Sequence, residues 1–206
     1  ERINDGNYGE SYPTKAELVT SGIPFLTSAS ILPDGSVGFG NMKYIRPEKH
    51  AELTKAQIKP RDVIFPNRGA RGGQLDGREP MAIVVPDAIQ DGNINPQVTR
   101  IRVSHEFVDC EFICLALKTR GFLSQFGEAS GGSALQFINL TKTKLFVIPL
   151  PPLSEQKRIV SKVTHLLSQV TRLESTLTRR ESTRTQLLTA AIHSILTGDN
   201  ERATGT

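Results

Sequence analysis

Cysteine is scarce in this sequence: 206 residues hold two, Cys110 and Cys114. Standing four apart in an apolar stretch, they share one face of a helix and are read as small hydrophobes in a core. Histidine is scarce too, and His50, His105, His165 and His193 fall at none of the spacings metal ligands use, so no metal site is expected. Long apolar runs are missing. None approaches the roughly 18 to 20 residues that would span a bilayer, and the opening ERINDGNYGE lacks the layout of a signal peptide. We therefore expect a cytoplasmic protein with no membrane partner.

What is present fits an ordinary folded chain: 37% hydrophobic and 22% charged residues argue against global disorder. The length suits one globular domain with an appended element. A net charge of +4 is a mild pointer to a polyanionic partner, and its placement says more. Lys43 to Arg78 holds nine Lys/Arg against four Asp/Glu, and Lys157 to Arg184 holds seven against two, so each segment is in excess by +5. Met81 to Cys114 has two Arg against five acids.

The chain begins at Glu1 rather than at a methionine, which suggests the edge of a larger protein. As far as Val103, short apolar runs alternate with Gly, Pro, Asn and Asp: residues 22–27, 36–40, 62–66, 81–86 and 97–103 read as strands of a mostly β domain, with a helix expected only near 48–57. After Ser104 the apolar period becomes helical, with Asp109 as N-cap, which predicts two helices broken at Gly121. Residues 127–134 form a Gly/Ser loop, 136–150 read as one or two closing strands, and Pro149, Pro151 and Pro152 stop regular structure.

From Ser154, a candidate cap, no Gly or Pro appears until Gly198. That predicts a helix of about 42 residues, roughly 60 Å long. Its apolar residues Ile159, Val163, Leu166, Val170, Leu173 and Leu177, then Leu187, Ala191 and Ile195, advance in alternating steps of four and three, the seam of a coiled coil. Arg180 and Arg184 interrupt that seam. A stripe of this length calls for a second helix, although folding back on its own domain is the alternative. The fold class expected is α+β: a mostly β domain with a short helical pair over 1–150, a long coiled-coil-type helix over 151–198, and a tail over 199–206.

The run IPLPPLSEQKRIV (148–160), preceded by GGSALQFINLTKTKLFV (131–147) and followed by LLTAAIHSILTG (187–198), resembles the specificity subunit of type I restriction-modification enzymes. INDGNYGE (3–10) and GIPFLTSASI (22–31) resemble the start of that family's target-recognition domains. The resemblance implies a non-catalytic subunit that binds double-stranded DNA and docks methyltransferase subunits and, in some systems, a restriction subunit. It also implies that S-adenosylmethionine is carried by the methyltransferase rather than by this chain. Full-length members have two recognition domains and two antiparallel helices. This chain has one of each, so it is either a half-length subunit pairing with a copy of itself or a piece of a longer one.

Sequence readout needs side chains that reach base edges from a scaffold held on phosphates. The loop 66–78 offers Arg68, Arg71 and Arg78 for guanine or phosphate, Asn67 and Gln74 for adenine, and four glycines for close approach. Lys43, Tyr44 and Arg46 form a second candidate group, and Ser130, Ser133 and Gln136 a third. Each group has a plainer alternative, as a solvated surface loop or a structural turn. Its glycines do not make the first loop a phosphate loop, because RGARGGQ lacks the GK[ST] ending. Pro86 and Asp87 are not followed by the acid and lysine of a metal-dependent nuclease, and no S-adenosylmethionine motif is present. The rival reading is a coiled-coil adaptor that never meets DNA.

Overall fold

The computed structural model describes residues 2–7, 9, 12–32, 34–67, 81–129 and 138–203, leaving aside the side chains at 41, 126, 127 and 194–203. The chain divides into two compact units, Glu1–Val160 and Ser161–Thr206.

In the first unit, β-branched and aromatic runs make two sheets. Strands β1 (Arg2–Asp5), β9 (Val98–Arg102), β6 (Val63–Pro66) and β7 (Ile83–Val84) lie side by side in that order, every pair antiparallel. The other sheet runs β2 (Leu18–Val19), β4 (Lys43–Ile45), β3 (Ile23–Leu26), β8 (Gly92–Ile94), β5 (Gln57–Ile58), with β3 and β8 parallel. Helix α1 (Pro47–Glu52) follows β4, with Pro47 at its first turn, where the missing N–H costs nothing.

Side chains alternating along the first sheet explain why its strands read as unbroken apolar runs. Ile64, Ile83 and Val98 join Phe25, Leu26, Ile45, Ile58 and Ile94 in one core shared with the second sheet. Val63, Phe65 and Ala82 enter a second core on the opposite face, against helix α2 (Cys110–Ala116) and Phe122. The sheet is thus covered on both faces, and a doubly covered strand has no polar side to show. An α+β architecture built on a β-rich domain follows from this layering, as expected.

Asp109 caps α2, accepting from the amides of Glu111 at 2.8 Å and Phe112 at 3.2 Å. Cys110 and Cys114 are buried free thiols of the second core, and burial pushes the Cys114 thiol up to about 11. The helix break falls earlier than expected. Helix α3 (Arg120–Ala129) contains Gly121, and the Thr119 hydroxyl before it accepts from Phe122 N at 3.4 Å, starting the new helix.

The closing strands expected within 136–150 do not form over the described residues 138–150. Asn139 accepts from Lys142 N at 2.9 Å and caps a single turn, α4 (Leu140–Thr143). The Gln125 side chain then takes both backbone groups of Val147, at 2.8 and 2.9 Å, leaving none for a neighbouring strand. Residues 36–40 form no strand either: Val37 makes a lone bridge to Ile31 before a turn at Phe39–Asn41.

Helix α5 spans Leu153–Ala203, 51 residues, and so begins before Ser154 and runs past Gly198. The Pro152 carbonyl takes the place foreseen for the Ser154 cap, accepting from Glu155 N at 2.9 Å and Gln156 N at 3.0 Å. Gln156 is wholly buried in the first unit, and Ile159 and Val160 pack partly buried against its second core. Ile159, expected in the partner seam, is therefore engaged by its own domain.

Candidate nucleic-acid interface

Arg68, Arg71, Gln74, Arg78, Ser130, Ser133 and Gln136 lie outside the described residues, but the places where their segments leave the framework do not. Segment 68–80 leaves β6 at Asn67 and returns at Met81, just before β7. Segment 130–137 leaves α3 at Ala129 and returns at Ile138. These ends are joined: Ile138 N donates to Asn67 O at 3.0 Å. The Ala129 carbonyl accepts from Lys142 Nζ at 2.6 Å, and Cys114 Sγ donates to the carbonyl of Ala82 at 3.2 Å. Two of the three candidate segments thus spring from one patch of the framework.

Asn67 occupies a position unlike the one expected of it. It is 1% exposed, its backbone N donates to Gln97 O at 2.9 Å, and its Nδ2 donates to Pro96 O at 2.7 Å. An amide buried this deeply presents no edge to adenine, although its Oδ1 has no partner among the described residues. The turn it grips is tied in further, because Gln97 N donates to Asn95 Oδ1 at 3.1 Å and Ser28 Oγ donates to Gln97 Oε1 at 3.4 Å. Gly6 fits against Asn95 only because it has no Cβ, which would collide with the Asn95 carbonyl.

The trio on β4 is split by the strand. Lys43 is exposed opposite Phe25, one residue from Leu26, whose carbonyl accepts from Asn95 N at 2.9 Å. It therefore stands at the end of the sheet nearest the Asn95–Gln97 turn. Tyr44 is half-buried, across from Pro24 and Val19. Arg46 is exposed beyond the other end of the strand, about 10 Å from Lys43 at ~3.3 Å per residue.

Much of the local positive charge is already matched. Lys49 bridges Glu17 at 3.0 Å and Glu52 at 3.1 Å, Lys55 pairs with Asp5 at 2.5 Å, and Lys59 pairs with Asp91. The Thr14 amide and the Lys49 ammonium hold the Glu17 carboxyl down to about 2. Arg102 forks onto buried Asp62 with two bonds of 2.7 Å. Among the described residues Lys43 and Arg46 form no ion pair, so they keep their charge for an outside partner. The sequence excess alone did not separate such cations from the paired lysines, because Glu17, Asp5 and Asp91 come from distant segments.

Along the second unit the apolar stripe is open. Leu166, Val170, Leu173, Leu177 and Leu187 are between 46% and 66% exposed, and Leu167, Leu188 and Ile192 widen it. Val163 is half-buried and Ala191 exposed, while the side chain of Ile195 lies outside the described residues. Arg179, Arg180 and Arg184 line one groove with Leu187, Leu188 and Ala191. Among the described residues no cluster of His, Cys, Asp and Glu could hold a metal, and no helix is long and apolar enough to cross a membrane.

Comparison with known proteins gives the architecture a family. A solved structure described as the basis of complex assembly and conformational transition of the type I R-M system superposes with a TM-score of 0.64 at 17% identity, over 93% of this chain and 42% of that one. The HsdS subunit from Thermoanaerobacter tengcongensis superposes with a TM-score of 0.62 at 23% identity, over 81% of this chain and 40% of that one. The shared fold spans about two fifths of the length of each. No curated protein shows significant sequence similarity to the chain. The family model for the type I restriction modification DNA specificity domain matches residues 9–180, and the chain belongs to that family of specificity subunits.

Proposed function

We propose that this chain reads one half of a bipartite DNA target and presents it to methyltransferase subunits, which bring S-adenosylmethionine and do the chemistry. A restriction subunit joins the assembly in the same reading. The globular unit supplies the reading segments around Asn67 and Ile138 and the unmatched Lys43, and helix α5 supplies the spacer.

The observation that carries the spacer role is the open stripe. Exposed Leu and Val side chains recur at alternating steps of four and three on a helix whose own unit gives them nothing to pack against. The same stretch is rich in threonine, and the hydroxyls of Thr171, Thr176, Thr178, Thr183, Thr185 and Thr189 bond back to carbonyls four residues earlier. Such residues are mediocre helix formers, and helices of this kind owe their stability to packing. A second helix, from a copy of this chain or from another half of a longer chain, answers both needs.

A rigid spacer converts helix length into the distance between half-sites. Adding or deleting one heptad between Leu166 and Leu187 is expected to change the unspecified gap in the methylated site, and an unchanged gap removes the spacer role. The adaptor reading gains some ground from the three lysines already paired with acids. Electrophoretic shift with the methyltransferase present separates the two: phosphate contacts predict affinity falling steeply with salt, whereas an adaptor predicts no shift at any salt.

A further inference from the structure

We infer that Phe39 is a base-reading residue, its ring meeting the 5-methyl group of a thymine in the major groove. The inference rests on the DNA-reading function proposed above and deepens it by naming one contact and the base it selects.

The first observation is an apolar ring where polar residues usually stand. Phe39 is 52% exposed on the turn Phe39–Asn41. The turn does not need the ring, because backbone bonds hold it: Met42 N donates to Phe39 O at 3.2 Å, and Gly38 N donates to Ser30 O at 2.9 Å. Glycine flanks the ring on both sides. A Cβ at Gly40 would meet nothing within 4 Å among the described residues, so a duplex can come close there.

Charge is the second observation. The bond that closes the turn keeps the Cα atoms of Phe39 and Met42 within about 7 Å, and exposed Lys43 is the next residue, which puts it within roughly 11 Å of Phe39. That is about three steps along a DNA strand at ~3.4 Å each, so a phosphate held by Lys43 leaves Phe39 over the adjoining groove. The one acid between Leu32 and Lys43, Asp34, accepts from Ser36 N at 2.9 Å and from Ser36 Oγ at 2.7 Å. Lys118 Nζ stands beside it, 3.2 Å from the place a Cβ on Gly35 would take.

Placement is the third. Ser30, which holds Gly38, shares a turn with Ser28, and Ser28 Oγ donates to Gln97 Oε1 at 3.4 Å. The turn bearing Phe39 is thereby tied to the Asn95–Gln97 turn, at the end of the sheet where Lys43 stands. The exposure of the ring then selects its partner. A ring half covered by its own unit protrudes too little to part stacked bases as a wedge does. In the major groove the apolar group on offer is the methyl of thymine, which a phenyl ring can meet edge or face on.

The test uses the full chain with its methyltransferase subunits. A pool of random-sequence duplexes gives the enriched motif, and each thymine in it is then replaced in turn by uracil, which removes the methyl group and nothing else. For the wild type we expect at least one thymine whose replacement weakens binding by about 3- to 10-fold. In Phe39→Ala that cost is expected to vanish at one such thymine, to within about 1.5-fold, with the salt slope unchanged. Phe39→Asn, a residue that turns favour, serves if the alanine variant does not fold. Phe107→Ala removes a ring that is 62% exposed elsewhere on the same unit, and is expected to keep the full cost. A motif with no sensitive thymine, an unchanged uracil cost in a folded Phe39 variant, or the same loss of that cost in Phe107→Ala overturns the inference and leaves the DNA-reading function standing. A wild-type complex that enriches no motif overturns the DNA-reading function itself, and the inference with it.

Discussion

Gln156 Oε1 accepts the amide of Asp109 at 2.8 Å, so the first turn of the long helix is fastened to the cap of α2, 47 residues earlier in the chain. Its Nε2 donates to Phe107 O at 3.1 Å and to Pro151 O at 2.7 Å, which leaves the side chain fully satisfied although it is completely buried. A glutamine in a Pro-Pro-Leu-Ser-Glu-Gln run thus has a mechanical reason to be there.

Replacing it tests that reason. Gln156→Ala orphans a buried amide and two carbonyls, and unmet buried groups cost about 1 to 3 kcal/mol each, some of it recovered by water at the helix base. We expect a loss of roughly 2 to 4 kcal/mol in urea unfolding of the first unit, and a loss below ~0.5 kcal/mol contradicts the fastening. Gln156→Glu is expected to be no better, because it sets an oxygen against the carbonyls of Phe107 and Pro151.

Asp62 is almost completely buried, and Arg102 is its bidentate partner. Removing one member of such a pair leaves a charge unmatched in the interior, at about 3 to 5 kcal/mol. The Arg102 side chain is 40% exposed and the Lys59 amide still donates to Asp62 at 2.8 Å, so Arg102→Met should cost less than that, about 1 to 3 kcal/mol, and Asp62→Asn combined with it should recover part. Additive losses in the double-mutant cycle would show that the two do not interact.

Acid should loosen the link between the β2 approach and α1. The folded Glu17 carboxyl sits near 2, below its ordinary 4.5, so its contribution is complete above pH 4.5 and disappears as pH falls towards 2. Glu17→Gln is expected to flatten the acid limb of a stability–pH curve in that window and to leave its neutral limb sloped as before. An acid limb of unchanged steepness contradicts the assignment.

Lys43 and Arg46 make a graded prediction for DNA. Lys43→Ala should weaken binding to every duplex alike and lower the salt slope by about one, the mark of a lost phosphate contact. Arg46→Ala, at the far end of β4, should do less. A motif altered by Lys43→Ala would instead make it a base reader.

Much of this molecule was legible in its sequence where local chemistry decides the outcome. The Asp109 cap, the buried cysteine pair and the strands at 22–27, 62–66 and 97–103 all follow from turn residues, periodicity and burial within a few positions. What escaped depended on distant partners. Strands of two to four residues such as Leu18–Val19 and Gln57–Ile58 carry too little pattern to be seen without their neighbours. Residues 145–148 alternate like a strand, yet Gln125 takes both backbone groups of Val147. At Asn67 the residue type suggested readout, while its burial and its bond from Ile138 assign it to the framework. The steps of the α5 stripe were readable, but not that Ile159 would be taken by the domain core.

The central claim, that this chain decides which DNA sequence is modified, is tested most directly by mapping methylated bases across the genome of a host with and without the coding sequence for this chain. We predict one bipartite motif, methylated in the first host and unmethylated in the second, with all other methylation unchanged. Identical methylation maps would contradict the account.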